Sequence, residues 1–282
     1  MPVLAHQRVA LEGAPEPTRW IYFLHGIFGM GTNFRGVAKS LVARAPGWGF
    51  VLVDLRGHGA SQGFAPPHDL ASAAADVEAL SREIGLEIAG VAGHSFGGKV
   101  LLELLRRRSQ PVDVAMVLDS MPGARVAPDQ RGDALKVLAS LEAIAEPIIS
   151  REAFRERLLG EGYSTAIVDW LAMNVRPDAG AYRLRLDLPA IRSLLADYFA
   201  KDLWGVVESP AAARAMSVIV GGRSDAFGAE ARERLARAGQ QNENLRVHVL
   251  EQAGHWVHVD DPSGLLAAMS ATMLEPRSGA RS

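Results

Sequence analysis

The sequence has no cysteine, only four lysines beside 26 arginines, few aromatic residues (6%) and a formal net charge of -2. Without cysteine there can be no disulfide scaffold, thiolate metal site, iron-sulfur cluster or cysteine nucleophile. Any covalent nucleophile must be of another type. The near balance of charge gives no electrostatic reason to expect a nucleic acid or an anionic membrane as partner. The arginines are scattered along the chain and carry no functional weight. No stretch approaches the roughly 18 apolar residues of a membrane span. The amino terminus, MPVLAHQRVALEGAPEP, lacks a basic segment followed by an apolar one, so a cytoplasmic location is the expectation. What is present is a globular composition, 48% hydrophobic and 22% charged, over 282 residues. That length predicts about two domains or one large one.

Short apolar runs bounded by Gly, Asp or Pro fall at 20–24 (WIYFL), 50–53 (FVLV), 88–92 and 114–118 (VAMVL). Such runs predict fully buried strands. Between them lie helical spacings at 34–44, 70–84 and 96–108, and strand alternating with helix predicts a parallel sheet. From Met121 to Gly205 the rhythm breaks. No convincing strand is found there, and amphipathic windows at 133–149, 151–159, 165–174 and 188–199 predict an inserted helical block. Strand signals return at 218–220 and 245–250 with a helix at 229–238 between them, and Asp261-Pro262 predicts the start of a last helix. The expected division is a discontinuous α/β core, 1–120 and 206–282, with an inserted cap at 121–205.

The third of these strands runs into Gly93-His94-Ser95-Phe96-Gly97-Gly98 and then a helix. Gly-x-Ser-x-Gly arises by chance about 0.2 times in a chain of this composition, so its strand-to-helix context is what gives it weight. A turn that tight strains Ser95, pushes its hydroxyl out of the core, and needs glycine where a Cβ would collide. The hydroxyl then sits at a helix amino terminus, which favours developing negative charge. A serine nucleophile needs a base, and His255 follows the last strand on the same carboxyl edge of the sheet. The base needs an orienting acid. Asp225 in GGRSD and Asp119 after Leu118 both end strands and both follow Ser95 in the chain; Asp225 is the preferred candidate, with Asp119 the alternative. The first apolar strand runs into His25-Gly26-Ile27-Phe28-Gly29, where glycines let amides turn toward a reacting carbonyl. The amides of Ile27 and Phe96 are the candidate oxyanion donors.

HGIFG, DLRGHGAS, GHSFGG, GGRSDAF and AGHWVH, taken together, resemble the α/β-hydrolase superfamily, and the likeness spans almost the whole chain. HGIFG with GHSFGGK and VLDSMP is most similar to the bacterial and mitochondrial carboxylesterases of the α/β-hydrolase-domain group. The resemblance implies a mostly parallel sheet flanked by helices, Ser95 as nucleophile, His255 as base, Ile27 and Phe96 as oxyanion amides, and a helical cap at 121–205. In some members the acid follows the strand that here ends at Leu118, which points to Asp119. The dehalogenases and epoxide hydrolases of the superfamily carry Asp where this chain has Ser95, so acyl transfer is implied.

Gly93 to Lys99 also fits a P-loop, but Val100 stands where Ser or Thr would hold Mg²⁺, and Lys99 reads as a surface helix residue. His25 and His94 lack metal-ligand spacing and read as structural, as does His58 in its turn. His258 competes weakly as base. Arg106 to Arg108 suit a helix carboxyl end. Phe28, Trp170, Trp204 and Trp256 are candidate pocket residues; Met173, Tyr198 and Phe199 fit either a pocket or helix packing. The expected function is cofactor-independent, metal-free cleavage of a small hydrophobic carboxylic ester through an acyl-enzyme. Thioesters, lactones and C–C bonds suit the same groups. A catalytically silent ligand-binding protein is the reading from another class. Oligomeric state is not legible.

Overall fold

The apolar runs pair into one seven-stranded sheet in the computed structural model, which describes residues 2–125, 134–144, 147–178 and 180–274. Along the chain come β1 (His6–Val9), β2 (Arg19–Leu24), α1 (Arg35–Arg44), β3 (Trp48–Val53), α2 (Leu70–Ile84), β4 (Ile88–His94), α3 (Phe96–Arg107) and β5 (Val112–Leu118). The insertion follows, with α4 (Ala134–Glu142), α5 (Arg151–Gly160), α6 (Thr165–Ala172), β6 (Val175–Asp178), β7 (Ala181–Leu184) and α7 (Leu188–Ala200). The chain returns through α8 (Trp204–Glu208), β8 (Ala213–Gly221), α9 (Ala229–Gln241), β9 (Leu245–Leu250), α10 (Val257–Asp260) and α11 (Pro262–Leu274). Strand order is β1-β3-β2-β4-β5-β8-β9, and only β1 runs antiparallel to its neighbour.

Successive residues of each central strand feed opposite faces of the sheet, as the pleat requires. Tyr22, Leu24, Val51, Val53 and Val117 join one buried cluster with α2 and α3; Ile21, Phe23, Phe50, Leu52 and Met116 join another with α1 and α11. Burial on both faces is why these strands are continuous apolar runs without alternation. Asp261 closes the start of α11, its carboxylate accepting the Gly264 amide at 2.8 Å.

Two strand assignments depart from the sequence reading. β1 is a polar edge strand with two exposed residues, so it shows no apolar run. The insertion also contains the β6–β7 hairpin, reversing at Gly180 (φ 86°), where only helices are expected. Three of the four β6 residues are exposed and one is proline, so the pair has neither alternation nor β-propensity to reveal it. The window expected at 133–149 is a helix only over Ala134–Glu142; 133, 145 and 146 lie outside the described residues. Among the described residues no helix is long and apolar enough to cross a membrane.

Candidate active site

Ser95 lies between β4 and α3 with φ 51° and ψ -116°, a strained backbone for any residue but glycine. The surrounding glycines are obligatory. A Cβ on Gly93 would stand 2.3 Å from the Gly97 carbonyl oxygen, and one on Gly97 2.3 Å from that of Leu24. The elbow is anchored to the next strand by the Ser95 amide, which donates to the Leu118 carbonyl at 3.0 Å. Phe96 opens α3, so its amide has no carbonyl within its own helix to bond.

The Ser95 hydroxyl stands 3.0 Å from His255 Nε2, and the Nδ1 side of the same ring lies 2.6 Å from Asp119 Oδ2. If Nε2 accepts the serine proton, Nδ1 must carry its own proton and donate it to Asp119. Asp119 is fully buried and accepts two further bonds, from the Gly221 amide at 2.9 Å and the Ser224 hydroxyl at 2.5 Å. Three donors converge on one acceptor-only carboxylate.

This geometry corrects the preference for Asp225. Asp225 is exposed, in the turn after β8, whereas Asp119 follows β5, the strand hydrogen-bonded to the β4 that delivers Ser95. Residues 221–225 nevertheless matter. Gly221 and Ser224 hold the acid in place, so that loop supports the carboxylate without supplying it. His258, the other candidate base, packs its ring 4.5 Å from Phe34, and burial lowers its pKa to about 4.

His94 supports His255. Its Nε2 lies 2.8 Å from the His255 carbonyl and its ring 4.9 Å from the imidazole of His255. Burial and the neighbouring His255 keep His94 well below the ordinary histidine range. Two further histidines hold the HGIFG turn. His25 Nε2 accepts the Leu55 amide at 2.9 Å, and His58 Nε2 accepts the Phe28 amide at 3.2 Å. Both acceptors must be neutral. Burial lowers His25 to about 4 and, with the nearby His25 ring, His58 to about 3.

Of the candidate pocket residues, three gather and one does not. Trp170 meets Phe28 edge-on at 6.4 Å and Trp256 at 5.3 Å, which joins insertion, turn and base loop in one aromatic cluster. Trp204 instead packs its indole nitrogen against Gly123, with the Arg234 guanidinium 4.6 Å over its ring. Tyr198 sits 5.9 Å from the Phe96 ring; burial raises its pKa, opposed by the charge of Arg125.

Lys99 is also corrected: it is fully buried, not a surface residue. Its Nζ donates to the carbonyls of Gly123 at 2.7 Å, Tyr198 at 2.6 Å and Lys201 at 2.8 Å. Burial and the nearby Arg125 lower its pKa to about 7. The ammonium therefore joins the nucleophile helix to both ends of the insertion. An amphipathic reading of α3 could not anticipate this, because the partners are backbone atoms at least 24 residues away. Among the described residues no three His, Asp or Glu side chains gather as a metal site.

A strained serine at a strand-to-helix turn, its imidazole and a buried carboxylate now stand on one edge of a mostly parallel sheet. The alpha/beta hydrolase family model matches residues 21–269. The chain belongs to the alpha/beta hydrolase family. Among curated relatives of this alpha/beta hydrolase, the sn-1-specific diacylglycerol lipase ABHD11 of Mus musculus is 27% identical over 258 residues, 89% of this chain and 80% of that protein. Esterase YbfF of Escherichia coli (strain K12) is 26% identical over 254 residues, 88% of this chain and 91% of its own. A solved marine microorganism esterase superposes with a TM-score of 0.80 at 20% identity, covering 95% and 98% of the two chains, and shares the fold.

Proposed function

We propose that this alpha/beta hydrolase cleaves small hydrophobic carboxylic esters through an acyl-enzyme. The observation that carries the reading is the unbroken chain from Ser95 Oγ through both nitrogens of His255 to Asp119, at 3.0 and 2.6 Å. His255 Nε2 takes the serine proton as Oγ attacks the ester carbonyl. Asp119 holds the ring in the tautomer that leaves Nε2 free to accept, and stabilises the imidazolium that forms. The amides of Ile27 and Phe96 receive the oxyanion, with the dipole of α3 behind the second. His255 then returns its proton to the departing alkoxide. Its side chain is 41% exposed, so a water can reach Nε2, be deprotonated there and release the acid.

The aromatic cluster of Phe28, Trp170 and Trp256 suits an apolar acyl or alcohol group. Relatives named as esterases and a lipase support esters as the bond type. The test pairs a fluorophosphonate probe with turnover of short and medium p-nitrophenyl esters. Native protein should be labelled and active, and Ser95→Ala should lose labelling and at least about 10⁴-fold in kcat. Unlabelled native protein, or undiminished turnover by Ser95→Ala, overturns the mechanism.

A further inference from the structure

The turn that offers the Ile27 amide closes on itself, with the Gly29 amide donating to the Gly26 carbonyl at 3.0 Å. Ile27 and Phe28 are its two central residues. Phe28 has φ 61°, and a positive φ at the third position of such a turn normally calls for glycine or asparagine. A bulky aromatic residue persists there only if its surroundings over-determine it. Both sides of its backbone are in fact pinned. From the core, His58 Nε2 takes the Phe28 amide at 3.2 Å; from the insertion, Asn174 Nδ2 donates to the Phe28 carbonyl at 2.8 Å.

Asn174 follows α6 and is 1% exposed. The same Nδ2 also lies 3.3 Å from the Leu171 carbonyl, so the side chain is held by the end of α6, and the main-chain carbonyl of Asn174 accepts the Arg185 amide at 2.9 Å just after β7. Its other amide atom, Oδ1, is buried without a hydrogen-bond partner among the described residues. An unsatisfied buried acceptor is destabilising, so the Asn174 side chain is not optimised for its own packing. The polar side chain bridges 146 positions of sequence to reach one carbonyl of the strained turn.

We infer that Asn174 is a positioning residue for the oxyanion hole, through which the insertion holds the Gly26–Gly29 turn in its transition-state geometry. The inference rests on the serine hydrolase reading above. Without the Asn174 bond, Phe28 relaxes toward negative φ, the turn opens, and the Gly26–Ile27 peptide that carries the Ile27 amide rotates with it, so the amide loses its aim. Because the oxyanion forms only in the transition state, the loss should fall on kcat and not on KM.

The experiment measures Asn174→Ala and Asn174→Leu beside native and Ser95→Ala protein. Asn174→Ala removes the donor together with the orphaned Oδ1. Asn174→Leu fills the site without a donor and stands in should the alanine variant fail to fold. Expected are a kcat about 10- to 100-fold below native, KM within about twofold, and binding of a trifluoromethyl ketone transition-state analogue weakened in parallel. The readout that a merely structural role would not move is the parallel loss of kcat and analogue affinity at unchanged KM in a variant that still melts cooperatively. Native kcat and analogue affinity in both variants, with Ser95→Ala inactive, overturn the inference alone. Turnover unaffected by Ser95→Ala overturns the underlying reading instead.

Discussion

The sheet edge and the insertion hold the site's polar atoms in contrasting ways. On the sheet edge each group is held several times over by near neighbours in the same layer. Asp119 has three donors, His255 is held through its ring and its carbonyl, and Ser95 is locked between glycines that touch backbone. The insertion meets the core through single, widely spaced polar contacts on apolar packing. Lys99 gathers Gly123, Tyr198 and Lys201; Asn174 reaches Phe28; Asp197 accepts the Leu70 amide at 2.9 Å; and the Asp187 amide donates to Gly57 at 2.8 Å. On the proposed function, misplacing one atom of the edge stops the reaction, whereas changes in the insertion should have graded effects.

The sharpest break between them is within the edge itself. Asp119→Asn should lower kcat about 10⁴-fold, since an amide in place of the carboxylate favours the wrong imidazole tautomer. Asp225→Asn, at an exposed position, should stay within about twofold. Steady-state kinetics of the two variants decides the acid, and the reverse pattern would return Asp225 to that role.

A smaller effect is expected where the regions join. Lys99→Met removes one ammonium and leaves three carbonyls to find other partners, a loss of about 3 kcal/mol at the usual cost of unsatisfied groups. The melting temperature should fall by about 5 °C. Limited proteolysis should then cut within 121–205 faster than in native protein while the sheet stays protected. Unchanged proteolysis would mean that apolar packing alone seats the insertion.

A further contrast separates the regions by pH. All eight histidines lie outside 121–205. His25 and His58 titrate near 4 and near 3 in the folded protein, both below the ordinary value of 6.5. As pH falls from about 6.5 the unfolded chain takes up these protons while the native protein does not, so stability is full above that value and declines toward pH 4. Each unit of difference is worth about 1.4 kcal/mol per group. Thermal melts between pH 7 and 4 should show the decline. His58→Gln, which still offers an acceptor to Phe28 but cannot protonate, should make it shallower, with His25, His94 and His258 left to titrate; an identical slope would place the acid lability elsewhere.

Legibility followed the same division. Six of the seven sheet strands, the elbow and His255 could be read because buried parallel strands are unbroken apolar runs and the elbow demands glycine within a few residues. β1, the β6–β7 hairpin and the burial of Lys99 could not, since edge strands and a backbone-bound lysine leave no local pattern. Trp204 and Trp170 look alike in sequence, yet one underlies the insertion and the other lies against Phe28. Asn174 carries no local signal either, because its partner is a carbonyl 146 residues away.

By itself the sequence determined that a nucleophile here cannot be cysteine, that Ser95 leaves a strand under strain, and that His255 returns to the same sheet edge. Those are consequences of composition and short-range sterics. The tertiary structure decided which carboxylate meets His255, because Asp119 and Asp225 both end strands and both follow Ser95 in order. Only the lateral order of strands, with β5 beside β4, brings Asp119 to the imidazole while the loop after β8 turns Asp225 to solvent. Strand order is set by long-range pairing across the whole sheet, and no local stretch of the chain encodes it.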